Sequence, residues 1–219
     1  MCIRDSPKIV DNFTLQGKIS YDSSKKTGLR VGTHVTYRAG DQPNNAFSLN
    51  IFKKGQTALS GGTSGVIYSL TDFQSVKKNL KLNYFAHIDY SDKVRSIGEL
   101  ACINGAGAML KWLKNLFGEN SYHNMDKIAA TTSIGSNKLA VFPFGNGSER
   151  ILDNQNIGGQ FSSINFNTHS KAQFFRATIE GIAFAFVYTM GIMKKNNYSL
   201  KNLKACNDNL FKSEIFSET

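Results

Sequence analysis

Two short stretches of this chain carry side chains that could do chemistry together. Ala39-Gly40-Asp41-Gln42 sets a carboxylate where an apolar, strand-like run stops and the backbone must turn. Gly61-Gly62-Thr63-Ser64-Gly65 sets glycines and two hydroxyls at a second such turn. A carboxylate at a strand end can take the proton of a substrate hydroxyl and hold the nucleophile in line. Glycines let backbone N–H groups approach an anion, and Thr63 and Ser64 add donors. A general base beside a phosphate cradle is the equipment of phosphoryl transfer. Each stretch also has a purely structural reading: Asp41 as the cap of a turn or of the next helix, and 61–65 as a hairpin turn. The loop lacks the Gly-Lys-Ser/Thr ending of a Walker A, which excludes an ordinary P-loop NTPase.

The remaining reactive residues narrow the field. Asn104-Gly105-Ala106-Gly107-Ala108 opens a helix, and such small residues permit either close helix–sheet packing or the approach of a nucleotide. His34, His87, His123 and His169 are dispersed and form no metal pattern. Cys2, Cys102 and Cys206 show no metal or redox spacing and no histidine partner, which argues against a thiol enzyme. A reducing cytoplasm is the compartment expected, because the start of the chain lacks the apolar core of a signal peptide.

These residues need a scaffold of strands and helices. Strands are expected at Val35–Ala39, Thr57–Ser60, Val66–Leu70 and Tyr84–Ile88, with a short helix from Pro43 to Leu49. Helical spacing then dominates. Met109, Trp112, Leu113, Leu116 and Phe117 form one stripe from Ala106 onward, and Asn124–Ala130 reads as another helix. Leu139–Phe142 is a short buried strand closed by Pro143, and Gln160–Phe166 alternates weakly. Lys171–Met193 is a long helix, apolar nearly all round from Ile182 to Val187, as burial against a sheet requires. Leu203–Cys206 is a last strand before an amphipathic helix over Asn209–Thr219. The order predicts an α/β layer fold.

Composition agrees with a globular chain. The 219 residues are 41% hydrophobic and 11% aromatic, enough to bury a core. The formal charge of +10 is spread over separate pairs, Lys25-Lys26, Lys53-Lys54, Lys77-Lys78 and Lys194-Lys195. That is a solvated surface, not a nucleic-acid footprint. No apolar run reaches the eighteen or so residues of a membrane span; the nearest, Gly181–Met193, is interrupted by Thr189 and Gly191. Neither a nucleic-acid nor a membrane partner is expected. The opening Met1-Cys2-Ile3-Arg4-Asp5-Ser6 fits nothing downstream and reads as a translated adapter remnant, so residues 1–6 are set aside.

Taken in order, these pieces resemble the second domain of the FGGY family of carbohydrate kinases, most closely its xylulokinase branch, over residues 8–219. The markers are Ala39-Gly40-Asp41-Gln42, Gly62-Thr63-Ser64-Gly65-Val66, and Asn104-Gly105 leading to Leu110-Lys111-Trp112-Leu113. Phe142-Pro143-Phe144 follows with Gly147-Ser148-Glu149-Arg150. A signature-like stretch then runs from Gly159 through Phe161, Ile164 and Gln173-Phe174 to Ala177-Thr178-Ile179-Glu180. Ser163 stands where the signature usually has Gly.

The resemblance implies an actin-like, ribonuclease-H-like α/β domain, a mixed sheet flanked by helices, closing on a similar first domain with ATP and sugar between them. Asp41 matches the catalytic base and Gln42 the adjoining sugar-holding position. Thr63, flanked by Gly62, matches the residue facing the γ-phosphate. Gly107 and Lys111 fall where related glycerol kinases line the nucleotide. Ala205-Cys206-Asn207-Asp208-Asn209 occupies the adenine-loop position, with Ala205 and Cys206 replacing consecutive glycines and narrowing the room for the base. The implied reaction is ATP-dependent phosphorylation of a ketopentose, D-xylulose to D-xylulose 5-phosphate, with Mg2+ held by the first domain. Gluconate, ribulose or glycerol are the alternative acceptors; the Thr63-Ser64-Gly65 variant and Ser148-Glu149-Arg150 favour the xylulokinase-like members. A non-catalytic actin-like nucleotide-binding module is the other alternative, and Asp41 beside Gln42 speaks against it. The implied division is 7–32 as a remnant of the inter-domain region and 33–219 as a second domain cut short at its end. The missing first domain would be its partner, the fragment alone inactive, and the parent admits a homodimer.

Overall fold

The computed structural model describes residues 8–76, 80–195, 200–207 and 209–219; Met1–Ser6, the Lys77-Lys78 pair and Asp208 lie outside them. The first elements are β1 (Gly17–Lys18), α1 (Tyr21–Thr27), β2 (His34–Val35) and α2 (Asp41–Ser48). Four strands follow: β3 (Gln56–Gly61), β4 (Gly65–Asp72), β5 (Asn83–Ala86) and β6 (Ser96–Ile103). Then come α3 (Ala106–Leu116), α4 (Tyr122–Ala129), β7 (Ala140–Phe144) and β8 (Gly158–Ser162). The last elements are α5 (Lys171–Lys195), β9 (Lys201–Ala205) and α6 (Glu214–Glu218).

Five strands make one mixed sheet in the order β5-β6-β4-β3-β9, antiparallel except that β9 runs parallel to β3. Strand β4 shows why the sheet has two covered faces. Its Val66, Tyr68 and Leu70 pack with Ala46 of α2, while Ile67 packs with the helices on the other side. This is the two-residue alternation of a pleated strand. Around Ile67 and Ile103 sit Leu113 of α3, Met125 of α4 and Ile179, Ile182 and Phe186 of α5. Helix α5 is long and apolar enough to cross a membrane by length and composition, yet 67% of that stretch is buried within the domain. Its apolar surface serves the core.

Two polar groups are built into this packing. On α5, Arg176 Nε donates to Glu180 Oε1 at 2.7 Å, and both side chains are buried. Glu180 also accepts the Gly135 N–H at 3.1 Å and the Ser136 hydroxyl at 3.0 Å, which ties α5 to the loop entering β7. On the α2 face, His87 lies between the Tyr68 hydroxyl and the Ile51 carbonyl, each 3.0 Å away. A carbonyl can only accept, so Nε2 carries the proton and Nδ1 receives the tyrosine hydroxyl.

Burial holds His87 below the ordinary imidazole range, against the opposing pull of Asp89 and of the Ile51 carbonyl. The unfolded chain therefore binds a proton that the folded chain refuses. This contribution to stability is complete above about pH 6.5 and is lost as pH falls toward the lowered value. The thermal midpoint should drop between about pH 7 and pH 5. A His87→Gln chain should show a shallower drop in the same melts; an unchanged slope would assign the titration elsewhere.

Several elements depart from the sequence reading. Of the expected Val35–Ala39 strand only Val35 is paired, together with His34, against Gly17–Lys18. The terminal helix is broken in two: a 3-10 turn over Asn209–Lys212 and then α6, because Ser213 caps the latter by accepting the Phe216 N–H. Strand β6 is eight residues long and sits inside the sheet, although Gly98 and Glu99 interrupt its apolar pattern. Gly98 is required there, since a Cβ would overlap the Tyr68 ring. The segment before α2 is anchored: Asn12 donates to the Ile88 carbonyl at 3.0 Å, and Phe13 stacks on Tyr37 with centroids 4.9 Å apart.

Candidate active site

Asp41 is the first residue of α2, and the N-cap is Gly40, which makes no side-chain cap bond. The carboxylate is exposed. It is turned toward its neighbour, accepting the Gln42 N–H at 2.8 Å and the Gln42 side-chain amide at 3.4 Å. The carboxylate is thus presented at a helix start, where negative charge is favoured. Tyr37 holds the same helix by donating to Asn44 Oδ1 at 2.8 Å.

The glycine loop is a hairpin turn whose tip also walls a cavity. Gly61 pairs with Gly65 across β3 and β4, leaving Gly62-Thr63-Ser64 as the tip. The outer glycines serve packing: a Cβ on Gly61 would come within 2.8 Å of Leu210, and one on Gly65 within 2.6 Å of the Phe186 ring. Gly62 has no such neighbour, the nearest atom being 3.9 Å away. No packing neighbour requires a glycine at this position. The tip rests on α3, where Ala108 N–H donates to the Thr63 carbonyl at 3.0 Å and a Cβ on Gly107 would overlap the Gly62 carbonyl.

The hairpin walls two cavities. On one side, about 860 Å³ is lined by Gly62, Thr63, Gly107, Lys111 and Asn209, five of the residues singled out by sequence. On the other, about 460 Å³ is lined by Gln42, Val66 and Cys102 together with Asn83, Glu149, Arg150 and Asn154. Asp41 stands beside this smaller cavity through its bonds to Gln42. Ala205 ends β9 and Cys206 follows it; neither lines the larger cavity, although Asn209 does.

Sequence reasoning missed several lining residues. Trp112 was placed in an apolar stripe, but it is 52% exposed and lines the larger cavity, while Leu110 and Leu113 face the core. Asn115 was legible in principle, because Gly107, Lys111 and Asn115 recur at four-residue spacing on one helical face. Asp126 of α4 also lines this cavity. Burial raises its carboxyl, opposed by the Ser213 hydroxyl at 3.0 Å and by His123, with Glu214 adding to the rise. Cys102 is no nucleophile: burial, and then the charge of Glu149, push its thiol up to about 11.

No family model matches the chain. It is 28% identical over 198 residues to a xylulose kinase of Staphylococcus epidermidis, which covers 90% of this chain and 39% of the relative. A gluconokinase of Bacillus subtilis is 26% identical over 188 residues, covering 81% and 36%. The crystal structure of xylulose kinase from Rhodospirillum rubrum superposes with a TM-score of 0.78 at 21% identity, over 95% of this chain and 41% of that one. In sequence and in fold this chain is similar to sugar kinases of the FGGY kind.

Its fold is that of the actin-like ATPases, and it spans about two-fifths of the length of the curated relatives it matches. The FGGY markers prove to be joints between elements. A Cβ on Gly105 would overlap the Pro143 carbonyl, so the Asn104-Gly105 and Phe142-Pro143-Phe144 markers meet at the start of α3. Ser163 follows β8 with φ +66°, the left-handed conformation that explains a glycine preference at that place.

Proposed function

We propose that this chain is the base-bearing part of a two-domain sugar kinase that transfers the γ-phosphoryl group of ATP to a ketopentose, converting D-xylulose to D-xylulose 5-phosphate. One observation supports this most: a single hairpin walls a nucleotide-sized cavity on one side and the Gln42 cavity beside Asp41 on the other. Asp41 takes the proton of the sugar hydroxyl as its oxygen attacks the γ-phosphorus, and ADP departs. Gln42 orients the sugar. Thr63 and the Gly62 backbone face the transferred group, Gly107 and Lys111 line the nucleotide, and Asn209 closes its far side. Little covalent work falls to the protein, so positioning and charge neutralisation from both sides of a cleft carry the rate. Among the described residues no cluster of three His, Cys, Asp or Glu could hold a metal ion. Magnesium needs only one or two carboxylates besides phosphate oxygens and water, and we assign its ligands to the opposing domain. We assign residues 33–219 to the second domain, with the opposing cleft wall and a cytoplasmic setting belonging to the complete kinase.

ATP-dependent phosphorylation of D-xylulose, D-ribulose, D-gluconate and glycerol tests this reading, on the chain alone and on the chain joined to the N-terminal half of a xylulose kinase. The joined protein should turn over D-xylulose and the chain alone should not, because half a cleft leaves the γ-phosphate in water. Robust turnover by the chain alone, or none by the joined protein, would overturn it. Gly107→Ala pushes the Gly62 carbonyl off α3 and should weaken ADP binding to the chain roughly tenfold by calorimetry, about 1.4 kcal/mol.

A further inference from the structure

We propose that the larger cavity is polarised, and that the Asp126 carboxylate takes a hydrogen bond from the nucleoside half of the bound nucleotide. The inference rests on the sugar-kinase reading, which puts a nucleotide in this cavity, and it fixes which way that nucleotide lies. The donor required is an O–H of the ribose or an N–H of the base, and adenosine carries both.

The wall carries its cations and its anion on different elements. Lys111 stands on α3 one turn after Gly107, and Lys212 on the 209–212 turn. Gly107 lies at the start of α3 against the hairpin tip, where the helix dipole favours negative charge. Among the described residues, Asp126 alone brings a carboxylate to this wall. The charges that act on it are those of His123 and Glu214, not those of the two lysines. A phosphate beside Asp126 would meet a like charge, and such juxtaposition is costly. The phosphates therefore belong with Thr63, Gly107 and Lys111, and the nucleoside is left to α4. Tyr122, one turn before Asp126 and half exposed, adds aromatic surface to that end, which suits a base and offers a phosphate nothing.

Asp126 is equipped to accept. The Ser213 hydroxyl donates to its Oδ1 at 3.0 Å, which leaves Oδ2 for a ligand. The carboxylate is half-buried, and the same hydroxyl and His123 favour its ionised form against that burial. An ionised acceptor that has lost part of its water gains a strong, charge-assisted bond when a ligand brings a donor. Ser213 is held separately, since its Oγ accepts the Phe216 N–H at 3.2 Å as the cap of α6.

Calorimetry on the chain alone, with ADP and with inorganic tripolyphosphate, tests the polarity. Asp126→Ala should weaken ADP roughly tenfold, the worth of a hydrogen bond to a charged group, and should not weaken tripolyphosphate. Asp126→Asn keeps the shape and the bond from Ser213, and should show a smaller loss of the same sign if the alanine variant fails to fold. Unchanged or tighter ADP binding in these variants would overturn the inference, because a carboxylate facing the phosphates would hinder binding. An equal loss for tripolyphosphate would overturn it too. Analogues separate the two donors. With the ribose as source, 2′-deoxy-ADP or 3′-deoxy-ADP loses the dependence on Asp126; with the base as source, inosine diphosphate loses it. Full dependence in all three would count against the hydrogen bond. If ADP depends on Asp126 in this way but the joined protein phosphorylates no sugar, the kinase reading fails and the polarity stands. If D-xylulose is turned over while the Asp126 variants bind ADP as the native chain does, the polarity alone fails.

Discussion

Asp41→Ala should lower kcat of the joined kinase by roughly a hundred- to ten-thousand-fold, the usual worth of a positioned general base. ADP affinity should stay near that of the native chain. The separation follows from geometry: Asp41 is linked to Gln42 and the smaller cavity, while the larger cavity is lined by the hairpin tip, α3, α4 and the 209–213 turn. The other anchors of α2 survive the substitution, since Gly40 is the N-cap and Tyr37 grips Asn44. Asp41→Asn keeps the bond from the Gln42 N–H and loses the base, so it should be equally slow. Steady-state turnover paired with calorimetric ADP titration reads both quantities. Near-normal turnover in either variant would remove Asp41 from the role of base; a matching loss of ADP affinity would mean that the substitution had disturbed the nucleotide side.

Glu180→Ala should cost about 3–5 kcal/mol of folding stability, the range for breaking a buried ion pair by removing one partner. The substitution leaves the Arg176 guanidinium buried without its counter-ion and takes the acceptor from the Gly135 N–H and the Ser136 hydroxyl. Urea unfolding followed by circular dichroism would measure it. Replacing both members with apolar residues, Arg176→Met with Glu180→Leu, should cost far less than the single change, because no charge is then stranded. If the single and double variants unfold alike, the carboxylate's loop contacts outweigh the ion pair.

Parts of this architecture were legible residue by residue. The long apolar run of α5, the apolar Val66–Leu70 strand and the Pro43 helix each follow a local rule, and the structure keeps all three. Strand β6 was not legible, because Gly98 and Glu99 break its pattern and the reason for Gly98, the Tyr68 ring crossing it, lies on another strand. Trp112 misled for a related reason. Its spacing belongs to an apolar helix face, but the core takes Leu110 and Leu113, and the indole is left beside the cavity.

The glycine loop and the Asp41 turn divide along the same line. By itself, the sequence determined that a carboxylate and a hydroxyl-bearing glycine turn would stand at element ends, and their order among the other markers carried the resemblance to FGGY kinases. Local spacing records such features because turns and helix starts depend on neighbouring residues. The tertiary structure decided which glycines serve packing and which does not, and it set Glu149, Asn83 and Asn154 around Gln42. Those residues come from segments far apart in the chain. Their meeting depends on sheet order and on helix packing, which no spacing within one segment encodes.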